Sequence, residues 1–279
     1  MERIKAAIEK AKAQGKTVVA LPAPATARAL PHHARAAAPA SEQLDVSYSA
    51  TEVVTLDASH LERHRVVAFN KTHPSNQAFD LLRTQVLQKM DEHGWRTLAI
   101  TSPTKEAGKT SVAINLAASI AHHTQRTAML VDFDLRRPSV AKYLGLQRST
   151  SLNEVLTGQA DVQAALVNPG LPRLVVLPTN QPVARSAEVL SSPAVGELVQ
   201  DLRNRYSERI VIFDLPPALA ADDVLTIMPR MDCVLLVVGS GSSTQKEIEE
   251  TMRHMPNTPL VGYVVNKDDA PLSRGYQYY

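Results

Sequence analysis

Ile100-Thr101-Ser102-Pro103-Thr104-Lys105-Glu106-Ala107-Gly108-Lys109-Thr110-Ser111 is the stretch on which the reading of this chain turns. The apolar segment Thr97 to Ile100 leads into it, and the helix-periodic segment Val112 to Ile120 leads out. Strand, loop ending in Gly-Lys-Thr, then helix is the setting in which backbone N–H groups and a helix dipole cradle nucleotide phosphates. In that frame Thr104 to Ser111 wrap the phosphates, Lys109 reaches the β- and γ-phosphates, and the Thr110 hydroxyl sits on Mg²⁺. The first glycine of G-x-x-x-x-G-K-[ST] is missing, since Pro103 stands there.

Two further apolar runs end in carboxylates. Ala128-Met129-Leu130-Val131-Asp132 continues into Phe133-Asp134-Leu135-Arg136-Arg137-Pro138, and Arg209-Ile210-Val211-Ile212-Phe213-Asp214 continues into Leu215-Pro216-Pro217. In a parallel sheet the strand C-termini converge on the ligand crevice. Asp132, Asp134 and Asp214 are therefore expected on the same edge as Lys109 and Thr110. Carboxylates and a hydroxyl suit an octahedral Mg²⁺ that bridges phosphates. If Asp132 and Asp134 lie on an extended strand end, positions i and i+2 share a face.

These residues carry a resemblance. Asp132-x-Asp134-x-Arg136-Arg137-Pro138 resembles the Walker A′ motif of the bacterial tyrosine kinases, P-loop autokinases of polysaccharide export. Asp214-Leu215-Pro216-Pro217, with Asp223 nine residues on, is similar to their Walker B segment. Ala187-Glu188-Val189-Leu190-Ser191-Ser192 and Ser151 to Gly158 resemble two further blocks, so the likeness runs from about residue 75 to 266. It implies tyrosine autophosphorylation with ATP and Mg²⁺, on a C-terminal tyrosine cluster presented by a neighbouring subunit. Here the chain reads Gly275-Tyr276-Gln277-Tyr278-Tyr279, which makes Tyr276, Tyr278 and Tyr279 the expected phosphoacceptors. Carried over, Asp134 accepts the tyrosine proton and Asp132 and Asp214 hold Mg²⁺, directly or through water. Arg136 or Arg137 stabilises the transferring phosphate or a subunit contact. The resemblance also implies homo-oligomers, a membrane chain-length or polysaccharide co-polymerase partner and an opposing tyrosine phosphatase. In related P-loop ATPases a strand such as Gly262-Tyr263-Val264-Val265-Asn266 ends in an Asn on adenine; Asn266 could equally be a turn residue.

The chain departs from the family in three places. Glu106 stands where family loops carry Gly, and a left-handed backbone there would strain a non-glycine residue by about 1–2 kcal/mol. Of the subunit-contact pattern Glu-x-x-Arg-x-x-Arg, at Gln77, Asp80 and Arg83, only Arg83 survives. Three tail tyrosines make a sparse cluster. Two rival functions stay open. A partition- or Min-type switch ATPase would carry a second lysine at Thr104, one step from Lys105. A slow or inert nucleotide-binding regulator is the other, with Glu106 in its favour.

The 279 residues, 44% of them hydrophobic, suffice for one large α/β domain. A formal net charge of +2 gives no nucleic-acid field. The single cysteine, Cys233, sits in an apolar run and reads as a core residue, and no disulfide framework is possible. Apolar runs are strand-length, short of the ~20 residues a membrane helix needs, and the N-terminus lacks a signal-peptide pattern. A cytoplasmic protein recruited to the membrane by a partner is the expectation. Glu2 to Gln14 predicts a helix (1–16), the Ala/Pro-rich stretch a flexible linker (17–58), then a P-loop domain with a mostly parallel sheet flanked by helices (59–268) and a tyrosine tail (269–279). His122-His123, ending the first P-loop helix, suits the negative dipole end.

Overall fold

The computed structural model describes residues 17–20, 51–123 and 125–268. The predicted N-terminal helix and the tyrosine tail lie outside them. Nine strands form one sheet in the order β1-β9-β8-β3-β7-β4-β6-β5-β2. They are β1 (Thr17–Ala20), β2 (Glu52–Val53), β3 (Thr97–Thr101), β4 (Thr127–Asp132), β5 (Val167–Asn168), β6 (Leu174–Leu177), β7 (Arg209–Asp214), β8 (Cys233–Gly239) and β9 (Leu260–Asn266). Every pairing is parallel except β5 with β6. The helices in chain order are α1 (Ala58–Arg63), α2 (Asn76–His93), α3 (Lys109–Ala121), α4 (Val140–Leu144), α5 (Leu152–Leu156), α6 (Val162–Ala165), α7 (Ser186–Ser191), α8 (Pro193–Asn204), α9 (Asp223–Ile227) and α10 (Gln245–His254).

The central strands are apolar throughout because helices cover both faces of the sheet. Alternation along each strand sorts the core. Leu98, Ile100, Leu130, Ile210 and Ile212 pack with Leu82, Val86 and Met90 of α2 and Ile114 and Ile120 of α3. Ala99, Met129, Val131, Val211 and Phe213 pack on the opposite side with Leu190 of α7 and Val195, Val199 and Leu202 of α8. The period of two in the strands thus divides the interior into two layers.

Two strand entries share one carboxylate. Asp232 accepts from the backbone N–H groups of Arg96, at 2.8 Å, and Thr97, at 3.0 Å. This ties the entry of β3, at Thr97, to that of β8, at Cys233. The expected linker also needs correction at its ends. Thr17–Ala20 adds an edge strand to β9, and Glu52–Val53 pairs with β5. Asp57 then caps α1 through His60 N–H. The two residues of β5 are too short a run for a periodicity argument to reveal.

Candidate functional site

The P-loop leaves β3 between β7 and β8 at the C-terminal edge of the sheet. Its stem is laced to the segment after β7. Thr101 Oγ1 donates to Pro216 O at 2.6 Å, and the N–H of Ala218 donates to Ser102 O at 2.8 Å. Ser102 Oγ donates to Thr104 O at 2.7 Å. Gly108 adopts φ 90, and a Cβ there would collide with Asn266 Nδ2, so only glycine fits. Glu106 has φ 64, the left-handed conformation anticipated from the sequence.

Four side chains converge at the start of α3. Lys109 Nζ lies 2.8 Å from Asp134 Oδ2 and 3.5 Å from Asp214 Oδ1. Thr110 Oγ1 donates to Asp214 Oδ2 at 2.6 Å, which leaves Ser139 Oγ, at 3.0 Å, to donate to Thr110. Asp132 and Asp214 are 0% exposed. Burial, and then the neighbouring Asp214 charge, push Asp132 up to about 8. Burial also raises Asp214 against the opposing pull of Lys109. Desolvation alone would lower the Lys109 ammonium, yet Asp214 and Asp134 hold it well above its ordinary value.

The acids of the cluster sit in different hydrogen-bond settings. β4 ends at Asp132, the N–H of Phe133 still donates to Asp214 O at 2.9 Å, and Asp134, two residues beyond Asp132, reaches Lys109. Asp132 Oδ1 accepts from Asp134 N–H, and its Oδ2 accepts from the N–H groups of Ser139 and Val140, both at 2.9 Å. It organises the loop between β4 and α4. Arg136 lines the cleft and is paired: its Nε donates to Asp223 Oδ1 at 2.9 Å, and its NH2 group lies 2.8 Å from Asp223 Oδ1 and 3.2 Å from Asp222 Oδ1. Asp223 is fully buried and its Oδ2 has no hydrogen-bond partner among the described residues. Arg137 also lines the cleft, is exposed, and has no ion pair among the described residues. Asn266 Nδ2 donates to Ala107 O at 2.9 Å, so this amide braces the P-loop.

A cleft of about 1960 Å³ opens over these groups. Lys105, Glu106, Gly108 to Ser111, Asp134, Arg136, Arg137 and Asn266 line it together. Sequence reasoning missed Ser139, Arg65, Lys142 and Arg185, which share the lining. Ser139 alone had a signal, since it follows the Arg-Arg-Pro run. Tyr276, Tyr278 and Tyr279 lie outside the described residues. His122 is the C-cap of α3, with its Nε2 2.9 Å from Ala68 O, and burial lowers both His122 and His123 from the ordinary imidazole value. Cys233 is buried, with its thiol pushed up by burial, as a core residue should be.

Residues 96–255 match the AAA domain family, which covers more than half of the chain. The chain belongs to that family. EpsB of Ralstonia solanacearum, given as a candidate tyrosine-protein kinase, is 32% identical over 207 residues, 74% of this chain and 27% of that protein. The succinoglycan biosynthesis transport protein ExoP of Rhizobium meliloti is 30% identical over 179 residues, 62% of this chain and 22% of that protein. The chain thus spans about a quarter of the length of these relatives. The kinase domain of Escherichia coli tyrosine kinase ETK shares the fold, with a TM-score of 0.72 at 22% identity over 97% of this chain and 98% of that domain. The P-loop α/β fold and the likeness to bacterial tyrosine kinases read from the sequence both stand. Among the described residues, no helix is long and apolar enough to cross a membrane.

Proposed function

We propose that the chain is an ATP-dependent protein-tyrosine autokinase serving the synthesis or export of an extracellular polysaccharide. One observation carries this: Lys109, Thr110, Asp134 and Asp214 meet at the P-loop edge, with Asp134 on the cleft lining. The names of the relatives support the tyrosine substrate and the polysaccharide setting.

The donor set fits Mg²⁺ and nucleotide. Thr110 and Asp214 offer hard oxygens side by side. Among the described residues no group of three His, Cys, Asp or Glu side chains could hold a metal unaided, which suits an ion that keeps waters and phosphate oxygens. Thr110 and Asp214 would hold it, and Asp132, its oxygens already accepting backbone N–H groups, would act through water. Bound there, Mg²⁺ would neutralise charge on the transferring phosphoryl group. Lys109 would leave its carboxylate partners for the phosphates, and Asp134, so released, would accept the proton of a tyrosine hydroxyl whose ordinary pKa is about 10. Arg137 is the guanidinium free to meet a phosphate. Arg136 would fix the loop through Asp223. Asn266 would reach adenine only by sharing its amide with Ala107. Tyr276, Tyr278 and Tyr279 would be the acceptors, presented by a second copy, with a membrane co-polymerase recruiting the chain from the cytoplasm and a phosphatase resetting it.

The test is mass mapping of phosphotyrosine after incubation with ATP and Mg²⁺, with and without a candidate partner's cytoplasmic segment. Phosphate on the tail tyrosines, absent in Lys109→Met, supports the kinase. ATP hydrolysis with no phosphotyrosine in either condition transfers the reading to a switch ATPase. The strained Glu106 favours a second reading, a slow nucleotide-binding regulator, for which neither product would accumulate.

A further inference from the structure

The cleft lining carries an excess of basic residues. Among the described residues that line it, nine are Lys or Arg and four are Asp or Glu. Much of that excess lies away from the P-loop strand order, on a wall built by α1 and α4. His60 Nε2 bonds to Lys142 O at 2.8 Å, and the His64 and Tyr143 rings approach to 5.1 Å, so the two short helices form one surface. Arg63, Arg65 and Lys142 stand on it, all exposed and none in an ion pair among the described residues. Arg65 holds a left-handed backbone, φ 58, and its carbonyl accepts from Ser111 Oγ at 3.1 Å and from Asn115 Nδ2 at 2.8 Å. That tie places Arg65 one residue along the helix from Thr110. Three exposed cations outnumber the nearby carboxylates Asp57 and Glu62 and stand beside two aromatic rings, next to the P-loop helix; they match an aryl phosphate, cations for its oxygens and rings for its ring.

We propose that this wall is a phosphotyrosine-binding subsite whose occupant is the chain's own segment 276–279 once phosphorylated. The proposal rests on the kinase reading for the source of that phosphate. The tail supports the assignment. Lys267 and Asp268, the last described residues before that segment, line the same cleft. Tyr278 is ten residues beyond Asp268, a reach of roughly 33 Å when extended. Segment 269–279 carries one Asp and one Arg, so its side chains are neutral overall until three phosphates add about −1.5 to −2 each. Charge complementarity to the wall therefore appears only with phosphorylation. The product would be retained near the site that made it and would compete with fresh acceptor tyrosine.

The experiment uses the unphosphorylated full chain and synthetic peptides of residues 273–279, with and without phosphate on the tyrosines, followed by fluorescence anisotropy. The phosphopeptide should bind at least tenfold tighter than its unphosphorylated twin. Arg63→Glu/Lys142→Glu should weaken it at least tenfold while ATP-analogue affinity and the thermal melt stay put, since both side chains are exposed. Equal binding of the two peptides overturns the proposal. So does phosphopeptide binding that survives the double variant but is displaced by ADP, which would place it on the P-loop. So does a double variant that loses only affinity for anionic lipid vesicles. Synthetic phosphopeptide needs no kinase activity, so a chain that binds it yet makes no phosphotyrosine keeps the subsite and loses the kinase. Phosphotyrosine formation without peptide binding does the reverse.

Discussion

Glu106 is the residue whose replacement separates two physical effects in one loop. Its backbone is left-handed, φ 64, where a non-glycine residue is strained by about 1–2 kcal/mol. Glycine removes that strain but loses about 0.5–1 kcal/mol to the greater freedom of its unfolded chain. The net gain for Glu106→Gly is about 0.5–1 kcal/mol, a rise in Tm of roughly 2–4 °C at most for a domain this size. The carboxylate is exposed and lines the cleft. Against a phosphate some 4 Å away its repulsion is about 1 kcal/mol in water. That corresponds to about fivefold in nucleotide Kd. Glu106→Gln removes the charge and keeps the strain, so it should tighten ADP about fivefold with Tm unchanged; Glu106→Gly should do both. The affinity gain should shrink in 1 M salt, where the screening length is about 3 Å. Calorimetric titration with Mg·ADP and thermal melts, at low and high salt, give all four numbers. A lower Tm for Glu106→Gly, or unaltered affinity for Glu106→Gln, refutes the reasoning and means that the carboxylate has a useful partner in the bound loop.

Lys109→Met should abolish phosphotyrosine and also destabilise the unliganded chain by about 3–5 kcal/mol, because Asp134 and Asp214 lose their buried counter-ion. Urea melts should show part of that recovered in Lys109→Met/Asp134→Asn. Asn115 is fully buried, accepts from Val67 and Ala68 N–H at 2.7 and 2.8 Å and donates to Arg65 O at 2.8 Å. Asn115→Ala strands those groups at about 1–3 kcal/mol for each one left buried, and should open the 65–68 segment to hydrogen exchange; unchanged protection would contradict the structure. His122 and His123 have folded pKa values below their unfolded ones, so the stability they contribute is present above about pH 6.5 and lost as pH falls through the depressed values. Denaturant melts of His122→Gln/His123→Gln should therefore show a shallower loss of stability between pH 6.5 and 5 than the parent.

The sheet was legible because its inner strands are short apolar runs bounded by charge, and parallel strands buried on both faces must read so. Leu130-Val131-Asp132 and Ile212-Phe213-Asp214 also announced where the carboxylates would gather, since a strand that ends in Asp delivers it to the ligand edge. What each carboxylate does there was not legible. Asp132 and Asp134 look alike in the sequence, yet one meets backbone N–H groups and the other Lys109. Nor does the sequence show that Arg136 pairs with Asp223, buried 87 positions away. The α1–α4 wall was invisible for a related reason. Arg63, Arg65 and Lys142 are far apart in sequence, and only the docking of two helices of six and five residues unites them. Helices this short carry too few apolar positions for periodicity to place them.

Backbone strain gives these scattered residues a common logic. The non-glycine residues with left-handed backbones among those described are Arg65, Glu106, Arg185 and Lys267, and all four line the cleft. Each is charged. A left-handed residue reverses the chain locally and persists only where neighbours over-determine it. Those neighbours are visible in two cases. Arg65 is held by Ser111 and Asn115 from α3, and Lys267 follows Asn266, which grips Ala107. Both ties end on the P-loop or the first turns of its helix. The strained positions at either side of the cleft are therefore clamped by the element that would hold the phosphates. A ligand that orders the P-loop would therefore act on the elements that hold both strained positions.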